Sequence, residues 1–152
     1  MHPPMHYDTA TAQLAALRAR RVGAVELLER CFDRIDRIDP ALNAIVVQDR
    51  ARARHAAALA DEALARGDRR PLLGLPMTVK ECFDIAGMPT TWGLAGTQSI
   101  PVGRDAVLVK RLRDAGAVVF GKTNVPPNLA DWQTANPIYG TTSPSARWRG
   151  AR

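Results

Sequence analysis

An α/β fold, a sheet covered by helices, is predicted by two features of the 152-residue sequence. Segments with apolar residues three and four apart alternate with short β-compatible runs, and glycines and prolines stand where the pattern changes. No internal repeat is visible. The length suits one domain able to bury a core. Apolar residues make up 46% of the chain, yet no apolar run approaches the roughly 20 residues that span a bilayer, so no membrane partner is expected.

Taken in order, Asp8 is placed to cap a first helix through Arg20, and Gly23 separates it from a second. In that second helix Val25, Leu28, Phe32 and Ile35 recur at helical spacing. Leu27, Cys31 and Ile38 widen the stripe, and Pro40 is expected to end it. Asp33, Asp36 and Asp39 read as its solvated face. Ala44 to Gln48 predicts a short strand, and Asp49 caps an alanine-rich helix that stops near Gly67. His55 within it reads as a surface residue. Arg69-Arg70-Pro71 links to a strand over Met77 to Ile85, opened by Pro76 and broken by Gly87 and Pro89. Asp105 is read as the cap of a helix through Asp114 with Leu108, Val109 and Leu112 inward. Val118-Val119-Phe120 reads as a buried strand, and little regular periodicity follows Pro126.

Charge and composition narrow the function. Of the net charge of +6, half comes from Arg147, Arg149 and Arg152 in the last ten residues, which hold no acid. Elsewhere arginines alternate with acids, as in Arg30-Cys31-Phe32-Asp33-Arg34-Ile35-Asp36-Arg37, so nucleic acid is not expected as a partner. Cys31 and Cys82 have neither zinc nor disulfide spacing and read as reduced structural residues. His2 and His6 are separated by Pro3 and Pro4, which prevents the helix that would align them on a metal. No metal or cofactor is implied. The first residues lack the regions of a signal peptide, and a cytoplasmic location is expected.

One lysine stands out. Lys80 is one of three lysines among eighteen arginines, and lysine can be neutralised by burial to act as a base where arginine stays protonated. Strand alternation puts Thr78, Lys80, Cys82 and Asp84 on one face and Met77, Val79, Phe83 and Ile85 on the other. Glu81 breaks the alternation, which implies a bend or an exposed edge. A second lysine completes a P-loop pattern, Gly116-Ala-Val-Val-Phe-Gly121-Lys122-Thr123. The pattern needs a strand before its first glycine and a helix from its lysine. Here a helix precedes Gly116, and Asn124-Val125-Pro126-Pro127 follows Thr123, so nucleotide binding is not expected.

The stretch Gly74-Leu-Pro-Met-Thr-Val-Lys80-Glu-Cys-Phe-Asp-Ile-Ala-Gly-Met-Pro-Thr-Thr-Trp-Gly93 resembles the lysine segment of the amidase signature enzymes. The likeness continues through Asp105-Ala106, Ala115-Gly116-Ala117, Gly121-Lys122-Thr123-Asn124 and Asp131-Trp132-Gln133-Thr134 to Asn136-Pro137-Ile138-Tyr139-Gly140, and stops after Thr142. This resemblance implies the N-terminal portion of a large fold in which helices cover a mixed sheet, expected here to be incomplete. It implies hydrolysis of a small-molecule amide by two serines and a lysine, with Lys80 matching the catalytic lysine and Lys122 lying in a turn at a strand end. In that chemistry the neutral lysine draws a proton from one serine, which draws one from the nucleophilic serine. A buried strand position is expected to supply the desolvation that neutralises it.

The family's glycine-rich serine segment is not found. Ser99, Ser143 and Ser145 are the serines present, and none sits in a glycine-rich turn that aims N–H groups at an oxyanion. Residues 1–142 are therefore expected to be the N-terminal part of an amidase signature domain, carrying Lys80 without both serines and inactive alone. Residues 143–152 are expected to be an unrelated, disordered tail, of the kind that reading a GC-rich gene out of frame would give. Self-association through an exposed sheet edge follows from an incomplete sheet. The alternative is a short non-catalytic binding or regulatory protein derived from an amidase.

Overall fold

The computed structural model of the chain describes residues 9–97 and 101–143. Four helices, α1 (Ala10–Arg18), α2 (Ala24–Leu42), α3 (Arg50–Ala65) and α4 (Val107–Asp114), accompany strands β1 (Ile45–Gln48), β2 (Pro76–Lys80) and β3 (Val118–Thr123). The strands form one sheet in the order β1-β3-β2, with β1 antiparallel and β2 parallel to β3. This is the predicted α/β class with a mixed sheet. A two-stranded antiparallel hairpin, β4 (Ala135–Asn136) with β5 (Gly140–Thr141), follows a single 3-10 turn at Pro127–Leu129.

Side chains alternate across β3, and each set meets its own helices. Val118 and Phe120 join Leu17, Leu27, Leu28, Phe32 and the α3 alanines in one core cluster. Ala117 and Val119 pack with Val79, Ile85, Met88 and Val109 of α4 in the other. Ala53, Ala57, Ala60 and Ala63 form the buried stripe of α3. These side chains lose little rotamer entropy on burial. Phe32 meets Phe120 edge-to-face at 5.5 Å between centroids.

Several boundaries differ from those the sequence predicts. Asp8 lies outside the described residues; the α1 cap is Thr9, whose hydroxyl accepts from the Ala12 N–H at 3.1 Å, and the helix stops at Arg18 rather than Arg20. Pro40 does not end α2. It stands in the last turn, where its missing N–H removes only one helical bond, and termination falls to Asn43 in the left-handed conformation. Ile38 is exposed rather than part of the buried stripe, and so is Leu108 of α4. Asp105 does not cap α4, whose N-cap is Ala106. Its carboxylate instead accepts from the Ala86 N–H at 2.8 Å and from Arg113 at 2.6 Å, tying the turn after β2 to the end of α4.

The central strand is also shorter than predicted, ending at Lys80 rather than Ile85. One more ladder bond forms, from the Glu81 N–H to the Thr123 carbonyl at 2.9 Å, before the Phe83 N–H turns back onto the Lys80 carbonyl at 3.0 Å. Apolar residues beyond it still reach the core: Ile85 and Met88 are buried from the turn. Among the described residues no helix is long and apolar enough to cross a membrane.

Candidate functional site

Parallel strands gather ligands at their carboxyl ends, and here the ends of β2 and β3 coincide, with Lys80 opposite Thr123. The ladder between them carries one register shift just before that end: the consecutive Met77 and Thr78 face Val119 and Gly121, which leaves Phe120 as an extra residue on β3. Such irregularities re-aim side chains beside functional sites. Lys80 closes β2 and is exposed, contrary to the burial expected of it. No hydrogen bond or ion pair to another described residue engages its ammonium. Cys82 lies in the turn beyond the end of β2; burial pushes its thiol up, and the nearby Lys80 acts in the opposite direction.

Glu81 meets one of the two readings that its place in the strand pattern allows. The predicted bend is present, but the side chain is fully buried rather than at an exposed edge. One carboxylate oxygen accepts from the Thr91 N–H at 2.7 Å and the other from the Trp92 N–H at 3.0 Å, while the Tyr139 hydroxyl donates at 3.3 Å. Lys122 is the buried lysine. It lies within β3, with no helix starting at it, so the P-loop geometry is absent there. Its ammonium donates to the Pro89 carbonyl at 2.5 Å and to the Thr90 hydroxyl at 2.9 Å. Burial lowers its pKa, and the nearby Glu81, Asp84 and Cys82 act in the opposite direction.

An asparagine network joins the C-terminal hairpin to this corner. Asn124 donates to the Gly140 carbonyl and the Thr142 hydroxyl, at 3.2 and 3.1 Å. Asn136 donates to Asn124 at 2.7 Å and accepts from the N–H groups of Ile138 and Tyr139. Asn43, ending α2, donates to the Tyr139 carbonyl at 2.6 Å. None of these roles is signalled by periodicity; each depends on partners that periodicity does not register.

Ser143 is half-buried, with its N–H on the Leu42 carbonyl at 2.8 Å. Ser99, Ser145, His2, His6 and the rest of the predicted tail lie outside the described residues. No group of three or more metal-ligating side chains occurs among the described residues. Two clefts lie away from Lys80: about 380 Å³ between the end of α2 and Arg50, and about 400 Å³ between α3 and the start of β3.

A mixed sheet with a lysine at the carboxyl end of its parallel strand pair is the architecture on the page, and comparison supplies the family. The Amidase family profile matches residues 26–147, and the chain belongs to that family. It is 35% identical to an acylamidase of Rhodococcus erythropolis over 139 residues, which are 91% of this chain and 29% of that protein. It is 38% identical to a glutamyl-tRNA(Gln) amidotransferase subunit of Acidothermus cellulolyticus, covering 88% of this chain and 27% of that one. Among solved structures, the peptide amidase of Stenotrophomonas maltophilia superposes with a TM-score of 0.80 at 32% identity, over 91% of this chain and 30% of its own. The chain thus spans under a third of the length of these relatives, and the matching folds are amidase signature enzymes.

Proposed function

We propose that Lys80 is the general base of an amide hydrolase of the two-serine-and-lysine type, and that these 152 residues carry the base without its nucleophile. The observation that carries this reading is the position of Lys80: the last residue of β2, against the end of β3, with its ammonium exposed and unengaged by the described residues. A base must be neutral, and burial is what neutralises a lysine. That covering has to come from a segment packed over this open corner, together with the serines and the N–H groups that hold an oxyanion. The substrate is a small-molecule amide. Free Cys31 and Cys82 suit a cytoplasmic setting, which cell fractionation checks.

The test joins this chain to the remaining segment of the Rhodococcus acylamidase. Amide hydrolysis should appear in the fusion and fall by about 100-fold or more in Lys80→Ala, the scale of a lost general base. The 152 residues alone should give no turnover above their own Lys80→Ala variant. Fusion activity that survives Lys80→Ala would remove Lys80 from the mechanism, and Lys80-dependent turnover by the chain alone would refute the missing nucleophile.

Self-association belongs to the same reading. Strands β1 and β2 each have one side without a strand partner among the described residues, and Val107 and Leu108 are exposed on α4. Sedimentation over a concentration series should show growth beyond a monomer; a single monomeric species throughout would refute it.

A further inference from the structure

Glu81 and Lys122 hold opposite ends of one four-residue segment. Pro89 has no N–H, so its only backbone polar group is a carbonyl, and Thr90 adds a hydroxyl oxygen; Lys122 donates to both. Thr91 and Trp92 present N–H groups, and the Glu81 carboxyl group accepts one on each oxygen. The order of groups on the segment, two acceptors and then two donors, matches the order of the two charges. Glu81, Lys122 and Thr91 are all at most 1% exposed, so water does not substitute for either partner.

The gripped segment is held in a conformation it would not keep unaided. Trp92 has φ +55, uncommon for a bulky residue, and Gly93 follows at φ +69. The Gly93 N–H closes the turn on the Thr91 hydroxyl at 3.1 Å. A side chain at Gly93 would be crowded, its Cβ 3.1 Å from that of Asn136 and 3.2 Å from the Pro127 backbone. The Trp92 carbonyl accepts from the Asn128 N–H at 2.9 Å. The segment therefore ties the Lys80 strand to the loop before the C-terminal hairpin.

Both charges sit beside Lys80 without taking its place. Glu81 follows it directly, and Lys122 lies on β3 one residue before Thr123, the partner of Lys80. Because Glu81 is fixed inward by three donors, the preceding side chain is turned outward. We propose that Glu81 and Lys122 are a paired clamp of positioning residues: they lock Pro89–Trp92 onto the end of β2 and thereby set the direction in which Lys80 leaves the sheet. This rests on the assignment of Lys80 as base, but its test reads geometry rather than hydrolysis.

The experiment uses the 152-residue chain, amide hydrogen exchange by NMR, and ¹³C-dimethylation of the exposed lysines, Lys80 and Lys110. Glu81→Gln keeps the shape but turns an N–H₂ toward one of the two backbone donors. Exchange at Thr91 and Trp92 should quicken by about 100-fold while Val118, Val119 and Phe120 stay protected, and the dimethyl-Lys80 signal should move while dimethyl-Lys110 does not. Lys122→Met should give the same local pattern, and Lys122→Arg, which keeps a donor, should restore part of the protection. Lys80→Ala should leave Thr91 and Trp92 protected, which separates this inference from the fate of the catalytic assignment. Unchanged exchange at Thr91 and Trp92 in Glu81→Gln would overturn the clamp. A loss spread equally over β3, or an unmoved Lys80 signal, would overturn the positioning role; if Glu81→Gln does not fold, the Lys122 pair decides by the same readings.

Discussion

Gly121 lies against Val47 so closely that a Cβ built on it would stand 2.5 Å from the Val47 carbonyl oxygen. That oxygen is backbone of β1, the antiparallel neighbour, and cannot swing aside as a flexible side chain could. The glycine that completes a P-loop pattern on paper is thus needed for strand contact. It lets β1 approach β3 next to the register shift that precedes Lys122.

Gly121→Ala should therefore destabilise the chain by about 1–3 kcal/mol, the usual cost of forcing extra volume into a packed site. Denaturant unfolding measures it. The strain should be local to β1, with amides of Val47 and Gln48 losing protection first. A variant as stable as the wild type would show that β1 can shift without cost.

A second prediction concerns the start of α2. Gly23 offers no side-chain cap; the free N–H groups of Ala24 and Val25 are taken by the Asp61 carboxylate of α3, at 2.6 and 3.1 Å. The same carboxylate lies 3.2 Å from where a Gly23 Cβ would be, so glycine also makes room for the contact. Asp61→Ala should cost about 1–2 kcal/mol, as lost helix caps do, and fray α2 from Ala24 onward. Circular dichroism with thermal unfolding tests this, and an unchanged midpoint would show that solvent caps the helix equally well.

These two contacts also mark the limit of sequence reading. Elements with local causes were legible: the apolar stripe of α2, the Asp49 cap on α3, the glycine beyond it, and the buried run of β3. The family likeness identified the fold and the segment around Lys80. What sequence could not give were groups whose partners are remote. Asp61 caps a helix 37 residues earlier. Asp105 has the look of a cap but is drawn away by Ala86 and Arg113. Glu81, a charge in an apolar strand pattern, reads as a bend or an edge; the bend is there, but the burial is not foreseen because the donors that make it tolerable lie ten and eleven residues further on. The burial expected of Lys80 is found at Lys122 instead, because alternation assigns faces but not what covers them.

The last prediction is a pair of opposite pH trends. Burial pushes the Cys31 thiol above its ordinary value of 9.0, so the folded chain keeps this proton longer than the unfolded chain. The stability it contributes is fully present below about pH 9 and is lost as pH rises through the raised value. Lys122 behaves the other way: burial lowers its pKa below 10.5, so the unfolded chain binds more protons in the window below 10.5 and stability rises with pH across it. Urea unfolding between about pH 8 and 10.5 should therefore show the gap between wild type and Cys31→Ala narrowing, and the gap between wild type and Lys122→Met widening. Burial also pushes the Tyr139 hydroxyl up, and that group stays in both variants, so it cancels from each difference to first order. Parallel curves for wild type and Lys122→Met would mean that Lys122 titrates alike in the folded and unfolded chains, and that its burial among Pro89, Thr90 and Glu81 leaves its charge as free as in water.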